Sequence, residues 1–530
     1  MTATALTGAM FLGSKRVAGD GTEVRAIDPR TGEQLEPTYR QGDASHVEYA
    51  ARLAAEAFGV YRETTPEQRA SFLDRIADNI DALGDTLVDR VVRETGIVEP
   101  RVRGEMARTT NQLRLFARVV REGSWAGARI DPALPDRMPL PRPDLRQRKV
   151  PLGPVVVFGA SNFPLAFSVA GGDTAAALAA GCPVIVKAHN AHPGVSELVA
   201  GAIADAVATS GLPEGVFSMI FGSGSGVGIG LVSDPRVKAV GFTGSRQAGL
   251  SLMAAAASRP VPIPVYAEMS SINPVFLMPG ALAADAEGLA AAYVASLTVG
   301  VGQLCTNPGL VFAVDGPDLD RFLEAAGAAV TQSPALPMLN PGIQRSYTEG
   351  VARLQDLPTV TEVGAGGVDE AIAAPGQAHV FATSVTDFSA EPAMREEVFG
   401  SSSLVVRLGD AGDFAAAAGD LEGQLTATVH AAPSDYAAAA GLVPALEDKV
   451  GRIIFNGWPT GVEVSHAMVH GGPFPATSDG RSTSVGTLAI ERFLRPVAYQ
   501  DLPAELLPPV LAAGNPLGAW RLVDGELTRG

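Results

Sequence analysis

Residues 155–164 read VVVFGASNFP, a short β-branched run that ends in a glycine-containing turn. Further runs of this kind follow at Pro183–Lys187, Val216–Phe221, Val237–Phe242 and Ile263–Ala267. Between the runs lie Ala- and Gly-rich segments of helical length, which are Ser168–Ala180, Gly194–Ser210, Gly226–Ser233 and Gln247–Ser258. Strands that alternate with helices form βαβ units, so this region predicts a parallel sheet in an α/β fold.

The regions on either side have different patterns. Residues 43–121 are expected to be helical, because Thr65-Pro66 with Gln68 forms a capping box ahead of an apolar helical repeat that ends at Gly96. A third helix is expected over about Val102–Arg121. Three more regions are predicted: a proline- and arginine-rich linker at 126–150, a second α/β unit at 270–460, and an extended C-terminal tail.

The composition excludes several classes of protein. The 530 residues contain 40 Lys+Arg and 57 Asp+Glu, which gives a formal charge of −17. So acidic a chain lacks the basic surface of a general nucleic-acid or anionic-membrane binder. Its two cysteines, Cys182 and Cys305, are too few for a disulfide framework and suit the reducing cytoplasm. The most apolar run, Val155–Val169, is broken by Ser161 and Pro164, and the N-terminus lacks a secretory signal, so neither a membrane span nor export is predicted.

Polar and glycine residues stand at the ends of the predicted strands, where α/β sheets place ligands. Asn162 can donate its side-chain NH₂ to a developing oxyanion, although a lone asparagine more often forms a turn. Lys187 can contact a ribose or a phosphate, or can simply be solvated. Two glycine-rich turns can admit a pyrophosphate at a helix N-terminus, and they contain Gly222, Gly226, Gly244 and Ser245.

Three other residues are candidates for chemistry. Cys305 lies in a loop and is either a thiolate nucleophile or a buried small hydrophobe. Glu268 closes the fifth predicted strand as a candidate general base, and Glu397 offers another carboxylate. His189 and His192 are three residues apart, but no further Cys or His completes a cluster with them, so no metal site is predicted.

The order and spacing of these residues resemble the aldehyde dehydrogenase superfamily. The matching residues are Asn162, Lys187, Phe242-Thr243-Gly244-Ser245, Glu268, Cys305 and Glu397-Val398-Phe399-Gly400. The resemblance covers nearly the whole chain and implies a Rossmann-type cofactor domain, an α/β catalytic domain and an oligomerisation arm. The implied cofactor domain comprises residues 1–135 and 152–269 with part of 465–495. The implied catalytic domain is 270–464, and the arm and tail are 136–151 and 496–530.

The resemblance also implies a role for each matching residue. Cys305 attacks the aldehyde, Asn162 and the Cys305 backbone N–H hold the oxyanion, and Glu268 activates the water that hydrolyses the thioester. A carboxylate base that works near pH 7 is expected to have a raised pKa. The implied cofactor contacts are Lys187, Asn190, Gly222, Gly226, Gly244, Ser245, Glu397 and Phe399.

Departures from the usual family pattern refine the expected cofactor and substrate. Asn190 stands three residues beyond Lys187, where NAD-preferring members often carry a glutamate that repels a 2′-phosphate. NADP is therefore expected to be accepted and favoured over NAD. Other departures, above all HGGPFPATSDGR at 470–481, resemble the 2-oxoglutarate semialdehyde (2,5-dioxovalerate) dehydrogenases. This branch implies oxidation of 2,5-dioxopentanoate to 2-oxoglutarate.

This implied substrate carries a carboxylate at the end remote from its aldehyde, so its tunnel is expected to hold a cation. Alignment of the third helix with the family puts Arg108 at a position that faces the tunnel, and Phe163 is expected beside the substrate. A homodimer or homotetramer is expected from the resemblance, with no nucleic-acid or membrane partner.

Other functions remain open. The enzyme could act on another semialdehyde or an aliphatic aldehyde, and an acylating, CoA-dependent reaction is disfavoured by Glu268. A non-catalytic protein that kept the fold is opposed by the intact Asn162, Glu268 and Cys305 set. A thiol hydrolase is not expected, since no histidine stands in a recognisable Cys–His arrangement. His466 and His470 lie in the branch-typical segment without an assigned role.

Overall fold

The computed structural model describes residues 6–530, and its first sheet contains the strands predicted around VVVFGASNFP. The seven strands lie in the order Val265–Glu268, Ala239–Thr243, Val155–Phe158, Val184–Lys187, Phe217–Ile220, Met10–Leu12 and Lys15–Val17. The first five are mutually parallel, which confirms the predicted sheet, and Met10–Leu12 pairs antiparallel with Phe217–Ile220. Their carboxyl ends share one edge of the sheet, so Glu268, Thr243, Phe158 and Lys187 end at the same level.

Helices cover both faces of this sheet. Those between the strands are Gly172–Ala180, Pro193–Thr209, Ile229–Ser233 and Arg246–Ala257, and the N-terminal ones are Ala44–Tyr61, Pro66–Thr95 and Glu99–Glu122. The predicted capping box is confirmed, because Thr65 Oγ1 accepts from the Gln68 N–H while the Gln68 side chain accepts from the Thr65 N–H. Gly96 ends that helix in the left-handed conformation with φ of 70°.

A second seven-stranded sheet occupies the region predicted as another α/β unit. Its order is Thr361–Ala365, His379–Ser384, Ser402–Leu408, Leu310–Val314, Val275–Leu277, Gln424–His430 and Val450–Phe455. All pairs are parallel except that of Thr361–Ala365. The helices here are Pro279–Thr298, Pro317–Thr331, Pro341–Gln355, Val385–Ala390, Asp413–Gly419 and Tyr436–Glu447.

The linker and the tail together form a third sheet. Its strands lie in the order Leu494–Gln500, Leu145–Pro151, Ala128–Asp131, Arg521–Val523 and Glu526–Thr528. A small apolar cluster that includes Ile130, Val510 and Leu511 supports it. The prediction of extended, non-helical segments is confirmed, and the domain limits inferred from the sequence stay predictions.

One helix is apolar enough to need comment. The segment Pro279–Gly302 could cross a membrane by length and composition alone. Within it, however, Tyr293 and Leu297 are fully buried against the second sheet and the helix Pro317–Thr331. Packing inside a folded core therefore accounts for this composition. This segment was not predicted from the sequence, in which Val155–Val169 is the most apolar run.

Candidate active site

The turn after the central strand holds Asn162 with its amide directed at the cysteine loop. Asn162 is 8% exposed, and its Nδ2 donates to the carbonyl of Gln303 over 3.1 Å. The Asn162 carbonyl accepts from Arg101 Nη2 over 3.0 Å. One N–H of the amide is thus engaged two residues before Cys305, and the other is available to an oxyanion.

A buried carboxylate that the sequence analysis missed fixes the same turn. Glu105 Oε1 accepts from the N–H groups of Leu165 and Ala166 over 2.8 and 3.0 Å. Arg101, Glu105 and Arg108 follow one another at helical spacing on Glu99–Glu122, so this helix presents three charged groups to the turn. That spacing was visible in the sequence and could have identified Glu105.

Glu268 lies at the end of its strand and is held at both carboxylate oxygens. Oε2 accepts from Ser484 Oγ over 2.7 Å, and Oε1 lies 3.0 Å from His470 Nε2. Burial raises the pKa of Glu268, but the charge and hydrogen bond of His470, with hydrogen bonds from Ser484 and Cys305, outweigh burial and lower it overall. The expected raised pKa is therefore wrong for this state of the site, because the sequence analysis did not foresee these partners.

Cys305 lies in a short loop that other side chains hold in place. Its carbonyl accepts from Asn273 Nδ2 over 2.9 Å, and its Sγ lies 3.3 Å from His470 Nε2. Burial raises the pKa of the thiol well above its usual range, and the neighbouring carboxylate of Glu268 raises it further, against the lowering effect of Arg108. At neutral pH the thiol therefore needs a base to become a nucleophile.

The donor atoms of Glu268, Cys305 and His470 all lie within 4.8 Å of one another. The expectation that no histidine would pair with the cysteine is thus wrong. His470 is 165 positions from Cys305 and 202 positions from Glu268 in the sequence. No local sequence pattern could therefore reveal these contacts. In the sequence, the only indication that His470 belongs to the site was the unusual HGGPFPATSDGR segment at 470–481.

His189 and His192 in the second βα turn contact each other and the turn that carries Asn162. The rings of His189 and His192 stack with their centroids 5.4 Å apart, and His192 Nε2 lies 2.8 Å from the Ala160 carbonyl. Burial lowers the pKa of both imidazoles, which favours their neutral form. His192 thereby supports the turn that carries Asn162.

The carboxyl edge of the first sheet fits a dinucleotide. Lys187 is only 9% exposed there, and burial lowers its pKa to about 8. Asn190 follows it, with a buried Oδ1 that has no hydrogen-bond partner among residues 6–530. A buried cation and an unpaired acceptor at a strand end suit the hydroxyls and phosphate of a ribose.

Two helical N-termini on the same edge suit a pyrophosphate. Gly222 precedes a π-helical turn, Gly224–Gly228, in which the Gly226 N–H donates to Ser223 Oγ. Gly244 precedes Ser245, whose Oγ caps the helix Arg246–Ala257 by accepting from the Ala248 N–H. The helix predicted over Gly226–Ser233 therefore begins as a π turn, because Ser223 and its glycines wind the chain more widely.

Glu397 and Phe399 lie on the second sheet's side and line a pocket with Gly302, Leu304 and Asn307. Burial raises the pKa of Glu397 to about 8, and the backbone of Ser271 offsets only part of the increase. The carboxyl group can hydrogen-bond a ribose hydroxyl beside the cysteine loop in either protonation state.

Arg108 extends from the helix Glu99–Glu122 over two aromatic rings. Its guanidinium carbon lies 5.9 Å from the Phe163 ring centroid and 5.2 Å from that of Phe167. Its Nη1 is buried and has no hydrogen-bond partner in the described part of the chain. Its charge interacts with Cys305 and Glu268, so the cation stands within electrostatic reach of the nucleophile.

Comparisons with known proteins agree on one family. The aldehyde dehydrogenase family matches residues 17–489. The alpha-ketoglutaric semialdehyde dehydrogenase 2 of Azospirillum brasilense is 56% identical over 522 residues, covering 98% of this chain and 99% of that protein. The alpha-ketoglutaric semialdehyde dehydrogenase of Acinetobacter baylyi is 49% identical over 523 residues, with 98% and 99% covered.

Solved structures show the same fold. Lactaldehyde dehydrogenase from Escherichia coli superposes with a TM-score of 0.81 at 22% identity, covering 93% of this chain and 98% of the other. The match to the family contains the five parallel strands of the first sheet and the whole of the second sheet. The chain therefore belongs to the aldehyde dehydrogenase family and is an NAD(P)-dependent oxidoreductase that acts on aldehydes.

Proposed function

We propose that this enzyme oxidises 2-oxoglutarate semialdehyde (2,5-dioxopentanoate) to 2-oxoglutarate and prefers NADP to NAD. The observation that carries the substrate assignment is the buried, unpartnered Nη1 of Arg108 near Cys305. A buried guanidinium nitrogen without an acceptor is costly, and a substrate carboxylate supplies that acceptor. The names of the relatives from Azospirillum brasilense and Acinetobacter baylyi support the same substrate.

The proposed chemistry starts at Cys305, whose sulfur adds to the aldehyde carbon and forms a thiohemiacetal. Asn162 has a free amide N–H beside the cysteine loop, and with the Cys305 backbone N–H it donates to the oxyanion where charge develops. Phe163 packs below the Arg108 guanidinium and bounds the substrate's apolar section.

A bound nicotinamide cofactor supplies the hydride acceptor that converts the thiohemiacetal to a thioester. Glu397 and Phe399 would hold its nicotinamide end, and Lys187 its adenosine end. Gly222, Gly226, Gly244 and Ser245 would border its pyrophosphate. Glu268 accepts a proton from the water that hydrolyses the thioester, since its carboxylate lies within 4.8 Å of the sulfur and is kept ionised.

The preference for NADP rests on the surroundings of Lys187. The neighbouring Asn190 places no negative charge near a 2′-phosphate, and its unpaired Oδ1 can accept from a ribose hydroxyl. A cation buried without a counter-ion favours an anionic ligand. NAD is expected to bind at the same residues, less tightly.

A substrate panel tests this function directly. We expect kcat/KM to be highest for 2,5-dioxopentanoate with NADP, above succinic semialdehyde, glutaraldehyde and a neutral aliphatic aldehyde. The Cys305→Ala variant should lose the activity, whereas Cys182→Ala, which removes the other free thiol, should retain it. A neutral aldehyde as best substrate would contradict the substrate assignment, and release of an acyl-CoA with added CoA would contradict the hydrolytic route.

The assembly and location belong to the same proposal. We expect the enzyme to be cytoplasmic and to form a homodimer or homotetramer. Its subunits are expected to associate through the third sheet, formed by the linker and the tail, which we call the arm sheet. The free thiols of Cys182 and Cys305 support a reducing compartment.

A further inference from the structure

His470 lies between Cys305 and Glu268 in the candidate active site. The side chain is fully buried, with Nε2 3.3 Å from Cys305 Sγ and 3.0 Å from Glu268 Oε1. Its backbone N–H donates to Thr483 Oγ1, and its carbonyl accepts from Ser484 Oγ. The imidazole is therefore held rigidly between the nucleophile and the carboxylate.

The thiol of Cys305 needs a proton acceptor. Burial and the carboxylate of Glu268 raise the pKa of the thiol, which leaves it protonated at neutral pH. Both carboxylate oxygens of Glu268 are already engaged, Oε2 by Ser484 and Oε1 by His470. The imidazole of His470 is the other proton acceptor in contact with the sulfur.

The hydrogen bonds of His470 place this exchange at one nitrogen. Nδ1 is buried without a partner in the chain as described, so only Nε2 meets groups that give or take a proton. When unprotonated, Nε2 can accept from the Cys305 thiol; when protonated, it can donate to the Glu268 carboxylate or to a thiolate. The two states differ by the position of one proton, which moves between Cys305 Sγ and His470 Nε2.

We propose that His470 is a catalytic residue whose Nε2 takes the thiol proton of Cys305 when the nucleophile forms. The S–H bond breaks, its electron pair stays on sulfur, and an N–H bond forms on the imidazole. The resulting imidazolium lies between two anions, the thiolate and Glu268. When hydrolysis expels the sulfur from the thioester, Nε2 returns the proton to it. This inference rests on the proposed role of Cys305 as the nucleophile.

Other charges act on this pair. Arg108 and Arg452 interact with Cys305 and favour its thiolate, and Glu397 opposes it. The ring of Phe167 packs on the imidazole with centroids 6.4 Å apart and carries no charge. The sulfur has hydrogen-bond contacts with His470 Nε2 and with the Glu268 carboxylate.

The test measures the alkylation rate of Cys305 by iodoacetamide across pH 5.5–10, with neither aldehyde nor cofactor present. Peptide mapping shows which thiol carries the label. Cys182 is fully buried, so the label is expected on Cys305. We expect the wild type to react at neutral pH through a thiolate–imidazolium pair. His470→Gln keeps a polar group there but takes up no proton, and its rate at pH 7 should fall about 100-fold. His466→Gln, an exposed histidine of the same segment, is the matched control and should react like the wild type.

A second variant separates the two candidate bases, even if His470→Gln does not fold. Glu268→Gln removes the carboxylate and keeps a side chain of the same shape beside His470, so its cysteine should still be alkylated at neutral pH. Loss of neutral-pH alkylation in Glu268→Gln, or an unchanged profile in folded His470→Gln, would overturn the proposal. Because no substrate is present, a wrong substrate assignment leaves this result untouched, and loss of oxidation in Cys305→Ala tests the nucleophile separately.

Discussion

At the scale of single residues, Arg108 is expected to set the substrate preference. Its replacement in Arg108→Met removes the charge and keeps much of the side-chain volume over Phe163 and Phe167. A charge-assisted hydrogen bond contributes about 1.5–3 kcal/mol. We therefore expect kcat/KM for 2,5-dioxopentanoate to fall about 10- to 100-fold, with little change for a neutral aldehyde.

The control for this change lies on the same helix. Arg118 is exposed near the helix end, so Arg118→Met should leave both rates unaltered. An Arg108→Met enzyme that still discriminates between the acidic and the neutral aldehyde would show that another group binds the carboxylate.

Lys187 is expected to make NADP binding depend on pH. Its pKa is lowered to about 8, and the charged form attracts a 2′-phosphate. KM for NADP should therefore rise between pH 7 and 9, while KM for NAD changes less. In Lys187→Arg the charge persists over this range, and the rise should disappear. Equal pH profiles for both cofactors would place the phosphate elsewhere.

The same burial affects stability with a defined sign. The pKa of Lys187 is lower in the folded protein than the ordinary lysine value of about 10.4, so the unfolded chain holds more protons between pH 8 and 10.4. The cost of burying this cation is complete below about pH 8 and declines as the pH rises further. Unfolding measurements on wild type and Lys187→Met should show this difference.

The sequence revealed those site residues that combine a reactive side chain with a strand end or a loop. Asn162, Lys187 and Glu268 follow β-branched runs, so their meeting at one sheet edge could be predicted. His470 and Ser484 could not be found in this way, because they reach Glu268 from more than 200 residues away through an irregular segment. Neither helical nor strand periodicity describes such a segment.

At the scale of elements, the loop after Glu268 forms a hydrogen-bonded clasp on the cysteine loop. Asn273 adopts φ of 48°, and its Nδ2 donates to the carbonyls of Cys305 and Asn307, each over 2.9 Å. Gln424 Oε1 accepts from the Ile272 N–H over 2.7 Å and ties the loop to the second sheet. The cysteine's position thus depends on a loop from another part of the chain.

Asn273→Ala should weaken both stability and activity. It removes a side-chain donor from the carbonyls of Cys305 and Asn307 and puts alanine at a positive φ, at a cost of about 1–3 kcal/mol. Asn515→Ala is the matched control, because Asn515 has φ of 46° and donates to the Ala519 and Arg529 carbonyls far from Cys305. We expect similar losses in thermal unfolding, but a lower kcat per folded enzyme only for Asn273→Ala. Equal activity in both variants would contradict the clasp's role.

Element limits deviate from the sequence prediction where distant groups intervene. The helix expected from Ser168 begins at Gly172, since Glu105 binds the N–H groups of Leu165 and Ala166 in a turn just before it. The resemblance implies an arm built from the linker and the tail, but it does not predict which strands pair within it. Leu145–Pro151 pairs antiparallel with Leu494–Gln500, and local sequence does not specify a partner so distant.

At the scale of the whole molecule, the arm sheet is built from the linker and the tail. It has its own apolar cluster and ends in two edge strands, Leu494–Gln500 and Glu526–Thr528. Exposed edge strands are surfaces on which another chain can add. This supports the proposed association through the arm and separates assembly from the chemistry at Cys305.

Leu511→Ala tests that separation. Leu511 is 0% exposed in the arm cluster, and its truncation should lower the free energy of unfolding by about 2–5 kcal/mol. Leu506→Ala, at a tail position that is 66% exposed, is expected to change it little. Light scattering should show a smaller species for Leu511→Ala, because a loosened arm presents a poorer surface to a second chain. The KM for aldehyde should stay constant, and a KM that rises together with the loss of assembly would show that the arm also shapes the active site.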